Sequence, residues 1–286
     1  MPLLPTSRYL LILLALATSC GTDTGDEPAP ASVLPESQHL TLGNPSGALT
    51  DVNQPMNYLL MKPQYALSYH RDRGTPNWVS WHLEAADLGS ASRQDNFAPD
   101  NTLPTGWYQV QATSYPGSGF DRGHNCPSTD RTATVADNSA TFLMTNMIPQ
   151  APNNNQRTWA NLENYTRTLV SATQEVYVIM GSYGKGGTGS NGAATTIDQG
   201  RVTVPARIWK VLVVLPVGDN DASRFTSATR VIAVDTPNEN TVSSTLGHYR
   251  TTVDAIEAAT GLDLLSAVPT SVQASVEAKV DTGPTQ

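Results

Sequence analysis

The chain has 286 residues, of which 39% are hydrophobic and 15% charged, with a formal net charge of −8. That length supports a sizeable core in one large domain or two small ones, and the apolar content excludes a chain disordered throughout. Two cysteines exclude a disulfide scaffold and a cysteine-rich zinc fold. The acidic balance excludes a histone-like coat protein, but not an enzyme that meets nucleic acid in a small basic cleft.

Residues 1–20 (MPLLPTSRYLLILLALATSC) carry one charge, Arg8, then an apolar run over 9–17 and small residues before Cys20. This reads as a secretory signal, and the run is too short to span a membrane. The Cys after small residues resembles a bacterial lipobox, departing from it at Ala17, where Leu is usual. A lipidated Cys20 would anchor the mature chain in the periplasm or at the cell surface; without lipidation the protein would be secreted. Residues 21–38, rich in Pro, Ser, Thr and acids, read as a flexible linker, and a globular domain is expected over 39–286.

Within that domain, alternation of aromatic and β-branched residues predicts a hairpin from 65–69 and 78–83, turning over 71–77. Residues 107–112 fit a strand or a short helix, and ATFLMTNM over 140–147 reads as an apolar strand. Apolar residues at Trp159, Leu162, Tyr165 and Leu169 predict a helix over 158–172. Strands are expected at 175–180, 202–204, 208–215 and 230–234. A helix over 253–259 should stop before Gly261, and 274–286 reads as a short helix or frayed tail. Strand follows strand more often than helix, so the class is α+β with a largely antiparallel sheet.

Several chemistries fail on spacing. The loop GSYGKGGTGSNG over 181–192 has Lys185 followed by Gly186, not Ser or Thr, so it reads as a hairpin loop and not a phosphate cradle. No G-x-S-x-G elbow occurs. Cys126 lies two residues from His124, poor geometry for a thiolate–imidazole pair, and reads as a small packed thiol. His39, His70, His82 and His248 lack metal-ligand spacing and read as surface or structural residues.

The segment FDRGHNCPS over 120–128 stands apart, placing acid, cation, glycine and imidazole in succession. Asn155 follows His124 by 31 residues and opens the predicted helix, with Glu163 eight residues on. Counted as α-helix, Glu163 would lie within roughly 80° of Asn155 and about 12 Å up the axis. An amide oxygen and a carboxylate on one side of a helix suit a hydrated hard cation such as Mg²⁺.

The combination of DRGH, TNMIPQ and N-x-x-x-W-x-x-L-E resembles the DNA/RNA non-specific endonucleases of the ββα-metal (His-Me finger) class, closest to the cyanobacterial sugar-non-specific branch. The resemblance covers about 39–280 and includes LGNPSGA, QYALSYHRDRGTPNWVSWHL, RQDNFAPD and ATFLMTNMIPQAPNNN. Cys126 and Ile148 depart from the residues common at those positions.

The resemblance implies a central, largely antiparallel sheet flanked by helices, and a metal-dependent hydrolase that cuts single- and double-stranded DNA and RNA without sequence preference. It implies 5′-phosphate and 3′-hydroxyl products. His124 is then the general base, available as neutral imidazole at mildly alkaline pH if its pKa is the ordinary one. Asn155 is the direct ligand of one Mg²⁺ or Mn²⁺, and Glu163 acts on that ion through water. Arg93 stabilises the phosphorane, Arg122 contacts phosphate or shapes the site, Asp121 fixes the loop, and Asn146 orients the imidazole. The alternative is an inactive or non-enzymatic nucleic-acid-binding surface lipoprotein. The presence of His124, Asn155 and Glu163 together favours the enzyme. A cognate protein inhibitor is left open.

Overall fold

Apart from Met1, the structure, a computed structural model, describes residues 37–285. The expected signal segment, Cys20 and nearly all of the 21–38 linker lie outside the described residues. The fold is organised by two long strands, β6 (Gln174–Tyr183) and β11 (Arg207–Pro216). Their sequences, QEVYVIMGSY and RIWKVLVVLP, are almost continuously apolar because both faces of the sheet are covered here. They pair antiparallel over ten residues each.

Around them lie β1 (Tyr58–Met61), β2 (Ala66–His70), β3 (Thr75–Leu83), β12 (Arg230–Pro237) and β13 (Arg250–Thr251), in the order β1-β2-β3-β6-β11-β12-β13. Every ladder in this sheet is antiparallel. The predicted 65–83 hairpin is present, with its second strand starting earlier, at Thr75. On one face Tyr65, Leu67, Val79, Trp81, Val178, Met180, Ile208 and Leu212 pack with Trp159 and Leu162 from the helical segment and Cys126 and Ile148 from a smaller hairpin. Burial of this apolar surface is the main stabilising term.

That smaller hairpin pairs β4 (Asp121–His124) with β5 (Met147–Gln150), setting Asp121 opposite Gln150 and His124 opposite Met147. The chain then enters a π-helical turn, Asn154–Trp159, which runs into α2 (Ala160–Leu169). Two strands and a helix in this order form a ββα unit on the large sheet. Between β4 and β5 lies α1 (Val135–Ala140), and Met144–Asn146 is a 3₁₀ turn.

The predicted strand over 140–147 is therefore absent, and only Met147 belongs to β5. Polar side chains claim the local backbone: Thr141 Oγ1 donates to Asn138 O, and Asn146 Nδ2 donates to Thr141 O and Cys126 O. Residues 107–111 form no strand or helix, and a 3₁₀ turn follows at Ala112–Ser114. The 181–192 loop ends β6 and opens a short hairpin of β7 (Gly187–Gly189) and β8 (Gly192–Ala194). Beyond it, β9 (Thr196–Ile197) pairs with β10 (Val202–Thr203).

α3 (Val253–Thr260) stops as predicted, at Gly261 with φ 73°, a left-handed cap that glycine adopts without steric cost. The tail differs from expectation: its helix, α4 (Thr270–Val276), begins before 274 and ends early. Among the described residues, no helix is long and apolar enough to cross a membrane.

Candidate active site

Gly123 explains the spacing of DRGH. A Cβ there would lie 2.3 Å from Gln150 Oε1 and 2.6 Å from Gln150 Cβ. Glycine thus lets Gln150 cross the hairpin, and its Nε2 donates to Asn154 Oδ1 at 3.0 Å.

The three consecutive asparagines that open the helical turn do three different jobs. Asn153 is held by Asn240, its backbone N–H donating to Oδ1 and its Nδ2 to the carbonyl. Asn154 Nδ2 reaches β12, donating to Thr236 Oγ1 at 3.1 Å and Pro237 O at 2.8 Å. Asn155 Nδ2 donates to Asp121 Oδ2 at 2.8 Å, and Gln156 Nε2 donates to the same oxygen at 2.9 Å. The Asp121 bond fixes the amide so that Asn155 Oδ1 carries no hydrogen bond from the described residues. Asp121 therefore orients Asn155 across 34 residues of sequence, a link that spacing alone did not reveal.

A cleft of about 430 Å³ is lined by Arg93, Phe97, Tyr115, Asp121, Arg122 and Asn155, among others. The Arg122 guanidinium lies 3.7 Å from the Phe97 ring centroid. Arg93 is aimed by Asp95, which accepts from Nε at 2.7 Å, and by Ser128, which accepts from Nη1 at 2.9 Å. It also sits over Phe142 at 4.9 Å. Stacking of guanidinium on aromatic faces limits its orientation without neutralising its charge.

His124 is buried beside these groups, edge-on to Phe97 and Phe142 at 5.7 and 5.0 Å. Its Nε2 is sealed and has no hydrogen-bond partner among the described residues. Burial first, then the positive charges of Arg93 and Arg122, push its pKa down to about 3. The imidazole is thus neutral across the physiological range, not only at alkaline pH.

Asn146 makes no hydrogen bond to the imidazole. Its side chain clamps the backbone of Cys126, accepting from N at 2.9 Å and donating to O at 2.8 Å. Cys126 is fully buried and burial pushes its thiol pKa up, as befits a packing residue.

The structure gathers Arg93, Arg122 and Asn155 in one cleft with His124 buried beside the arginines, and sets Glu163 against Lys210. The expected offset assumed an α-helix from Asn155. In the π turn, residues rotate by less than the ~100° of an α-helix, so the roughly 80° offset does not hold. Glu163 makes no hydrogen bond to Asn155, Asp121 or His124. Its Oε1 lies 3.7 Å from Lys210 Nζ, and its side chain keeps 19% of its exposure.

Lys210, overlooked in the sequence as one polar residue in an apolar strand, is buried on the face of β11 that meets Trp81 and Trp159. Phe97 and Phe142 were visible only as apolar residues within the recognised stretches. An uncommitted amide oxygen in a cleft that also holds the Asp121 carboxylate offers hard oxygen donors that fit a hydrated divalent cation needing few protein ligands.

A ββα unit carrying a histidine on its first strand and an asparagine at its helix entry is the architecture of a ββα-metal nuclease. The chain belongs to the DNA/RNA non-specific endonuclease family, whose model matches residues 46–271. It is 48% identical over 270 residues to a protein named Nuclease from Nostoc sp., covering 94% of this chain and 96% of that one. It is 29% identical over 242 residues to the mitochondrial Endonuclease G of Bos taurus, covering 82% and 78%. A solved structure titled as an EndoG/EndoGI complex shares the fold, with TM-score 0.65 and 23% identity over 81% of this chain and 91% of that one. The chain is accordingly a sequence-non-specific nuclease dependent on a divalent metal, and nucleic acid is its substrate; the non-enzymatic alternative is not favoured.

Proposed function

We propose that the cleft hydrolyses phosphodiester bonds in DNA and RNA, leaving 5′-phosphate and 3′-hydroxyl ends, with Mg²⁺ or Mn²⁺ held on Asn155 Oδ1. The observation that carries this reading is the Asp121–Asn155 bond, which leaves the amide oxygen uncommitted in a cleft that holds two arginines, with a neutral histidine buried beside those arginines.

His124 takes the proton from the attacking water, a role that requires the unprotonated ring supplied by its lowered pKa. Arg93 meets the negative charge that grows on the phosphoryl oxygens, and Arg122 holds the phosphate in register. The bound ion would supply positive charge at the phosphate and at the departing 3′ oxygen. Glu163 keeps access to water and lies against Lys210, so it would orient a water near a bound ion and not hold the ion directly. Contacts confined to phosphate and sugar account for cutting both nucleic acids without sequence preference.

The test is incubation of the purified protein with plasmid, single-stranded DNA and RNA in Mg²⁺, Mn²⁺ or EDTA, with a His124→Ala control. Cleavage of all three that requires metal and His124 is expected. Equal cleavage by a folded His124→Ala protein would remove that residue from the chemistry.

We further propose that residues 1–20 direct export, that Cys20 carries the lipid anchor, and that 21–38 tether a nuclease domain spanning 39–286. The support is the apolar run ending in small residues before Cys20. Mass spectrometry of the native N-terminus decides between a lipidated Cys20 and plain secretion.

A further inference from the structure

Away from the cleft, three carboxylates meet where the C-terminal helices join. Asp254 and Glu257 stand three residues apart on α3, so they share a face. Glu277 directly follows α4 as its cap. The Asp254 backbone N–H donates to the Glu277 carbonyl at 3.3 Å, drawing the two segments together. One carboxylate oxygen from each of the three residues lies within 4.8 Å of the others.

Like charges this close repel, and no cation among the described residues is paired with Glu277. Lys279 is near in sequence, but its Nζ donates to Ser227 O. Arg230 and Arg250 hold Asp281 and the Gly283 carbonyl. The charges acting most on Glu277 are Glu257, Asp254 and Asp263, all acids. Glu277 is itself only 8% exposed, and its Oε1 is sealed without a hydrogen-bond partner among the described residues. A buried, unpaired carboxylate oxygen is costly unless something binds it. Glu257 has committed Oε1 to the Leu264 N–H at 2.7 Å, which leaves Oε2. Asp254 is exposed and opens one side to water.

We propose that Asp254, Glu257 and Glu277 form a second cation site, distinct from the nuclease cleft, that binds Ca²⁺ and clasps α3 to the chain after α4. Hard carboxylate oxygens suit an alkaline-earth ion. Three anionic side chains with an open, hydrated side fit the six to eight flexible oxygen ligands of Ca²⁺ better than the strict octahedron of Mg²⁺. The competing occupant is a proton: in the absence of a cation, burial and the neighbouring acids push the Glu277 pKa up to about 7.

The test is the melting temperature of the full-length protein, stripped with EDTA and then titrated with Ca²⁺ or Mg²⁺. Calcium at about a hundredfold excess over its dissociation constant should raise the melting temperature by roughly 5–10 °C, and Mg²⁺ by less. Glu277→Gln should lose the calcium shift while cleaving DNA in Mg²⁺ at the wild-type rate, and Asp254→Asn provides a second, exposed variant with the same expectation. Asn155→Ala should keep the shift, because that residue belongs to the other site. The proposal is overturned if calcium leaves the wild type unmoved, if both carboxylate variants respond as the wild type does, or if the shift disappears in Asn155→Ala. Stabilisation by acid alone, without any calcium response, would assign the cluster to a proton.

Discussion

Replacing Lys210 by methionine tests whether the Glu163 carboxylate is held from behind. Lys210 is about 1% exposed, and its Nζ sits 3.7 Å from Glu163 Oε1, with the Trp81 and Trp159 rings 5.5 and 5.0 Å away. Burial pushes the lysine pKa down and the Glu163 pKa up, so desolvation outweighs the attraction of the pair for both partners. At an effective dielectric of ~20, the attraction at this distance is about 4 kcal/mol. Methionine keeps the stem's volume but removes that attraction. It also removes the several kcal/mol that burying an ammonium costs. The two changes oppose each other, so a net loss of about 1–3 kcal/mol is expected, at the low end because Glu163 can take up water or a proton. Activity should fall more clearly, by about 10–100-fold, as expected when a group that orients a metal's surroundings is lost. The assay is a double-mutant cycle with Glu163→Gln, read in denaturant melts and in kcat. If Lys210 works through Glu163, Lys210→Met should add little to the kcat loss in the Glu163→Gln background, and the double variant should be more stable than Lys210→Met alone. Independent, multiplicative losses in kcat, or a wild-type rate in Lys210→Met, would refute the linkage.

Further expectations follow from neighbouring geometry. Asn155→Ala should be nearly inactive at any Mg²⁺ concentration, whereas Glu163→Gln should recover in part with excess Mg²⁺ or Mn²⁺; activity measured against metal concentration checks both, and the reverse pattern would exchange their roles. Gly123→Ala forces a Cβ against Gln150 and should cost about 1–3 kcal/mol, measured by denaturant melt. His39 is locked as the neutral ring, Nε2 donating to Pro63 O and Nδ1 accepting from the His82 N–H, and burial pushes its pKa down to about 4. Because its folded pKa lies below the unfolded value near 6.5, the stability it contributes is complete above pH 6.5. About 3 kcal/mol should be lost as pH falls from 6.5 to 4. Comparing the pH dependence of stability in wild type and His39→Gln isolates this contribution, and an unchanged slope in the variant would contradict it.

The parts of the fold that were legible are those where one local pattern faces one environment. The apolar runs of β6 and β11 and the glycine stop of α3 have no strong competitor. The failures have local physical causes. Residues 140–147 look like a strand by composition, but Thr141 and Asn146 tie their side chains to nearby backbone, as Asn138 does to Ser128 and Arg131, and turns form instead. The helix that carries Asn155 and Glu163 starts with a π turn because Asn153 and Asn154 are pinned to residues more than eighty positions later, which no periodicity encodes. Lys210 is one polar residue in an apolar strand, and nothing in the local pattern tells that tryptophans from β3 and the helical segment flank it. Arg93, Arg122 and Asn155 line one cleft, and His124 is buried beside its arginines. What the sequence concealed was how they are held: Asp121 on Asn155, Ser128 on Arg93, and the phenylalanines beneath the arginines.

The grip of residues 236–240 on the site also has a consequence in time. Asn238 donates to Pro149 O at the end of β5 and accepts from the Ala151 N–H, while Thr236, Pro237 and Asn240 seat Asn154 and Asn153. A chain elongated only through α2 already contains Arg93, Arg122, His124, Asn155 and Glu163, but lacks the segment that positions the helix entry. Such distant contacts form late, after long loops have closed. A chain ending at α2 therefore carries these residues without the contacts that seat the helix entry, which arrive only with the end of β12 and the segment after it.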